Sequence, residues 1–263
     1  MIGADISLGA LAAKIATAAL VVVTASRATE RAGPMLGSLV ATLPVSTGPV
    51  YVFLAMDHGA AFIADCARVS VASSIAMLAF IWAHAFASRR FATVGSLLAA
   101  TLGWFAGAVL LQLRDWSFAE ACALYAAGFV LSIAGLRQFT RVPKAPAAPR
   151  ARFDLALRIA LVGAVVVATT IASRVSGPSV TGIIATYPVV FTSLIVILQP
   201  RWGGELVAAV LVNGLKGLLG FGLALAVLHV AALNMSSAPA LLLALLVAVG
   251  WNLGLLFHSR RRE

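Results

Sequence analysis

About nine times along this chain, roughly twenty residues pass with almost no ionisable side chain, the length a helix needs to cross ~30 Å of hydrocarbon. That feature narrows the fold more than any motif does. The apolar runs are 8–26, 34–56, 60–87, 91–113, 117–136, 155–173, 178–198, 204–230 and 239–257. They are continuous rather than alternating, so they predict helices and not barrel strands. In lipid every backbone donor must be satisfied within its own segment, which a helix achieves. The expected class is all-α, a polytopic bundle of about nine transmembrane helices. Composition agrees: 62% of the 263 residues are hydrophobic and 11% charged, too little charge to clothe a water-soluble exterior.

The net charge of +10 raises the question of nucleic acid. The basic residues, however, stand in short clusters between apolar runs, with no aromatic interleaving, so they are read as topology signals and no nucleic-acid partner is expected. With nine crossings, thirteen loop arginines and lysines fall on one side of the bilayer. They are Arg27, Arg31, Arg89, Arg90, five between Arg137 and Arg152, Arg201 and Arg260 to Arg262. Only Arg114 and Arg174 fall on the other. The positive-inside rule then puts the C-terminus in the cytoplasm, the N-terminus outside, and the protein in the inner (cell) membrane. No basic region precedes the first run, which is therefore expected to be retained. Cys66 and Cys122 lie inside apolar runs and imply no disulfide framework.

The sequence also repeats itself. Gly33-Pro34 recurs as Gly177-Pro178, Ala41-Thr42-Leu43-Pro44 as Ala185-Thr186-Tyr187-Pro188, and Gly59 as Gly203, all at a lag of 144. Gly103-Trp104 with Gly107 recurs as Gly250-Trp251 with Gly254 at a lag of 147. Equal order at nearly one lag points to a duplication. The expected organisation is a four-helix repeat over 1–113, a connecting helix at 114–136, a cytoplasmic linker at 137–153 and a second repeat over 154–263. The single helix between the quartets makes the second start on the opposite side, so the repeats are inverted, as in many secondary transporters. Each half resembles the GlpM-like four-helix inner-membrane proteins, through Gly182 to Pro188 (less closely Gly37 to Pro44), the glycine opening the third helix and the Gly-Trp of the fourth. That resemblance implies a fold and no defined activity.

Pro44 and Pro188 lack an N–H and should break the second and seventh helices near mid-depth, with Thr42 and Thr186 close enough to serve the freed carbonyls. A structural kink explains them equally well. Asp65 and Arg68, and likewise Asn213 and Lys216, stand three apart on the third helix of each unit and so share a face. Cations at such depth usually face an interior cavity. If Asp65 neutralises Arg68, Lys216 is left to hold an anionic or zwitterionic solute; an Asp65–Lys216 packing pair is the competing reading. Lys14 and Arg158 are read as snorkelling, and His84 and His229 as interface residues. The stretch from Asp57 to Cys66 fits no metal-site spacing, and no nucleotide loop, dinucleotide fingerprint or nucleophile elbow occurs, so no cofactor, metal or catalytic residue is assigned. The expectation is a small-solute secondary transporter, with a non-catalytic membrane subunit or assembly factor as the rival. A protein partner or homo-oligomer is left open.

Overall fold

The computed structural model describes residues 9–24, 46–140 and 152–260. Every regular element among them is helical. In chain order they are α1 Gly9–Thr24, α2 Thr47–Asp57, α3 Ala60–Ala87, α4 Thr93–Gln112, α5 Phe118–Gly135, α6 Arg152–Val175, α7 Gly177–Ala185, α8 Val189–Trp202, α9 Gly204–Asn213, α10 Leu215–Asn234 and α11 Ser237–Arg260. Seven of the resulting rods are long and apolar enough to cross a bilayer, with α7 and α8 together forming one of them. The outward faces of α4, α5 and α11 are apolar, carrying Leu98, Leu102, Phe105, Leu131, Leu242 and Leu246 in the open. Water would not tolerate that exterior and lipid does. The chain is an integral, multi-pass membrane protein.

The first two expected spans are described in part. α1 has 16 residues, and α2 covers 47–56 of the expected second span and adds Asp57; residues 34–45 lie outside the described residues. The run 204–230 forms two helices, α9 and α10, that meet at Gly214, and the run 178–198 is divided at Pro188 into α7 and α8.

The hub of the bundle is α3, against which α2, α4, α5, α7, α9 and α10 all pack. Its composition explains why. Alanines and serines line it, and without a hydrophobic drive between helices in lipid, small side chains that let backbones approach are what holds such a bundle together. A Cβ added at Gly103 would come 2.9 Å from the Cβ of Ala83, and one at Gly107 would come 3.1 Å from the Cα of Ala76. On the other side of α3, a Cβ at Gly182 would lie 2.6 Å from the carbonyl oxygen of Cys66. Across the second half, the Tyr125 hydroxyl of α5 donates to the Leu218 carbonyl at 2.5 Å and accepts from the Gly222 N–H at 3.2 Å, bridging one turn of α10.

The turns gather at two ends. At the end near the linker, Arg89 stacks on Phe139 at 4.3 Å, Arg201 pairs with Asp154 at 3.1 Å, and Gly204 presses on the Ser88 carbonyl. At the far end, Lys14 pairs with Asp57, Cys66 donates to the Pro178 carbonyl at 3.5 Å, and His229 stands 2.8 Å from the Ala64 carbonyl. Two expectations change here. Lys14 is buried and ion-paired rather than snorkelling, and His84 and His229 turn inward rather than lining an interface. Helices apolar on all sides give no periodic signal of which face is inside.

Candidate functional site

The break at Pro188 is where the backbone departs most from a helix inside the bundle. Proline offers no N–H, so the carbonyl four residues before it loses its usual donor, and the residue ahead of proline is pushed out of the helical region. The chain tightens instead: Thr186 N–H donates to Ile183 at 2.9 Å and Tyr187 N–H to Ile184 at 3.1 Å. Two carbonyls of the last α7 turn take their donors from other helices. Ser70 of α3 donates to the Gly182 carbonyl at 2.7 Å, and Thr47 of α2 to the Ala185 carbonyl at 3.1 Å. Because the one proton of Ser70 goes to Gly182, the Tyr51 hydroxyl, 2.7 Å away, is the donor in the Tyr51–Ser70 bond. Thr186 is fully buried and spends its hydroxyl on its own turn, donating to Ile183 at 2.7 Å.

The other side of the break is less complete. Tyr187 is half-buried, with Thr192 donating to its phenolic oxygen at 3.3 Å and Trp104 of α4 packed edge-on with ring centres 5.0 Å apart. The Trp104 indole nitrogen is buried with no hydrogen-bond partner, although the residue is only 7% exposed. A buried orphan donor is costly, and native structures rarely carry one without a use.

A milder irregularity lies alongside. Gly214 divides α9 from α10 by one tightened turn that keeps helical φ/ψ (−66°, −16°) and the bond to the Val210 carbonyl at 3.1 Å, and a Cβ placed there would touch the Phe191 ring of α8 at 3.6 Å. Phe191 stands one turn beyond Pro188. Asn213 and Lys216 flank Gly214, and both are exposed. The structure therefore sets the Phe191 ring, one turn beyond Pro188, against Gly214, with Asn213 and Lys216 next to that glycine in the chain.

It does not bring Asp65 and Arg68 to the same place. Arg68 reaches the far end of the bundle, where its guanidinium donates to the Trp116 carbonyl at 2.6 Å in the α4–α5 turn. Asp65 is exposed, and no salt bridge joins it to Arg68 or to Lys216 among the described residues. Counting helical rise places the Cα atom and ignores the reach of a long side chain, which here brings arginine to a turn. Thr42 and Pro44 lie outside the described residues.

Tyr51, Ser70, Trp104 and Tyr187 were not singled out by sequence reasoning as site residues. The one available signal was Ser70, Ser73 and Ser74, three hydroxyls within five residues of an otherwise apolar helix. The described residues hold no group of three His, Cys, Asp or Glu side chains that could bind a metal. No protein-family model matches the chain, and no curated protein or solved structure matches it either.

Proposed function

We propose that the protein is a small-solute secondary transporter whose site lies where the Pro188 break meets the tightened turn at Gly214. The observation that carries this reading is the approach of Phe191 to Gly214, which sets the helix broken at Pro188 beside the tightened turn between α9 and α10 inside a membrane bundle. Discontinuous helices meeting at mid-depth are the usual setting of transporter sites, because irregular backbone survives in a membrane only inside protein or against a water-filled cavity. Lys216 supplies positive charge and the Trp104 indole an unspent donor, so an anionic or zwitterionic solute suits the site. The rest of the sequence-based account supports the same reading: nine crossings, two inverted quartets around a connecting helix, and basic loops on the cytoplasmic side. The segregation of turns into two ends is what such threading produces.

The test is solute binding and flux with the purified protein. Thermal stabilisation in nanodiscs over a panel of small carboxylates and amino acids should identify a ligand, and proteoliposomes should accumulate it. Lys216→Ala should weaken binding by about tenfold, the equivalent of ~1.4 kcal/mol. Wild-type affinity in Lys216→Ala and Trp104→Phe alike would remove the site from this place.

One feature favours the rival reading of a non-catalytic membrane subunit. Gly250 and Gly254 on α11 have nothing within 4 Å of a built Cβ, and they border an apolar groove of about 400 Å³ with Leu223, Val247, Trp251 and Leu255. A small-residue helix face of that kind packs well against another helix. Stable co-purification of a second protein, with no flux by the isolated chain, would favour this reading over transport.

A further inference from the structure

A second polar cluster sits near the linker end, apart from the proline break, and has no part in the site above. His84 of α3, Ser96 of α4 and Gln199 of α8 are 0%, 0% and 6% exposed. The Gln199 side-chain oxygen stands 3.0 Å from His84 Nε2 and accepts from the Ser96 hydroxyl at 2.9 Å. An amide oxygen only accepts, so His84 Nε2 must carry the hydrogen. Its Nδ1 is then a bare lone pair, and that atom is buried without a partner. The cluster joins the first half to the second, because Gln199 is on the helix that begins at the proline break.

We propose that His84 is an intramembrane proton-binding residue, taking the proton at Nδ1 and so coupling protons to the opening of the linker end. The idea rests on the transport reading and names its coupling ion. Protonation adds one hydrogen to the free lone pair, breaks no bond, and converts imidazole to imidazolium with a gain of one positive charge. The Nε2–H bond to Gln199 persists and strengthens. Against that gain stands a full charge in a dry site with no counter-ion bonded to it, and burying an uncompensated charge outweighs one improved hydrogen bond. The surroundings add to the imbalance. α4 carries no ionisable residue, Arg89 and Arg90 follow α3, Arg137 lies in the adjoining turn, and Arg201 on α8 is engaged by Asp154. Glu205 at the start of α9 is exposed. A proton on His84 therefore favours a state in which water reaches this end and α8 parts from α3 and α4. Gln199 is a positioning residue, since it fixes the tautomer that leaves Nδ1 open.

Hydrogen–deuterium exchange of the full-length protein in lipid nanodiscs, without solute, tests this directly. Between about pH 8 and pH 5, where histidine titrates, exchange of 80–92 and 196–206 should rise by roughly threefold or more after correction for intrinsic rates. His84→Gln keeps a polar partner for Gln199 but cannot charge, and its exchange should stay at the high-pH level. Gln199→Glu sets a carboxylate against Nε2–H, gives the protonated ring the counter-ion that the closed site lacks, and should abolish or reverse the rise. No rise in the wild type, or an equal rise in His84→Gln, overturns the proposal. Should His84→Gln fail to fold, a rise of wild-type size in Gln199→Glu overturns it instead. The transport reading is judged separately: a pH-driven opening without solute flux in proteoliposomes would sink transport and keep the proton site. Flux with unchanged proton dependence in His84→Gln would do the reverse.

Discussion

The glycine–tryptophan segment occurs twice, on α4 and on α11, and the two copies live in different surroundings. Gly103 and Gly107 are pressed against Ala76, Ala79 and Ala83 of α3, whereas Gly250 and Gly254 face open space. The facing helix explains the difference. At the lag of 144, Ala79 and Ala83 become Leu223 and Val227, and larger side chains hold α11 off where alanines let α4 in. Only Gly220, the counterpart of Ala76, is approached closely, by the Trp251 ring. The hub shows the same divergence. Ser70 of the unbroken α3 caps a carbonyl of α7 ahead of the Pro188 break, while its counterpart, Gly214, is where the α9–α10 rod tightens for one turn. Among the described residues, α3 supplies the scaffold and the Pro188 region the discontinuity.

The largest expected effect separates the two glycine faces. Gly103→Val drives a branched side chain into the α3 backbone and should cost on the order of 3 kcal/mol by unfolding in detergent. Gly250→Val, with nothing to meet, should change stability by no more than ~0.5 kcal/mol. Equal losses would erase the asymmetry. Next comes the scaffold helix: Ser70→Ala leaves the Gly182 carbonyl and the Tyr51 hydroxyl buried and unbonded, for a loss of about 2 kcal/mol. A neutral outcome would mean that the break needs no support from α3. The smallest effect sharpens the tryptophan pair. Trp251 donates to the Lys216 carbonyl at 2.9 Å, whereas the Trp104 N–H is unpaired. Replacing each by Phe removes similar volume, so Trp251→Phe should lose about 1 kcal/mol more than Trp104→Phe. An equal loss would show that the Trp104 N–H has a partner after all.

Much of this architecture was legible in the residues. Uninterrupted apolar runs of spanning length have few alternatives to a membrane helix, so the class and the long rods from α3 onward followed directly. Pro188 announced its break because a missing N–H is visible in the sequence. Gly214 did not announce its tightened turn, since glycine inside a helical pattern is more often tolerated than disruptive. Side-chain direction was the main loss. His84, His229 and Lys14 sit on helices that are apolar all round, so nothing in their spacing said that they point inward. The pairing of Lys14 with Asp57 and of His84 with Gln199 depends on which helices adjoin, a tertiary fact that no local pattern carries. The serine cap at the break belongs to the same class: Ser70 and Gly182 are 112 residues apart.

The measurement that reaches the centre of the account is sidedness. With Cys66 and Cys122 replaced, single cysteines at Arg89 and Ser236 can be labelled by an impermeant thiol reagent in intact and in inverted membrane vesicles. Opposed quartets joined by one extra crossing require Ser236 to react from outside and Arg89 only from the cytoplasmic face. Labelling of both positions from the same face would contradict the inverted arrangement, and with it the transport site built on two opposed halves.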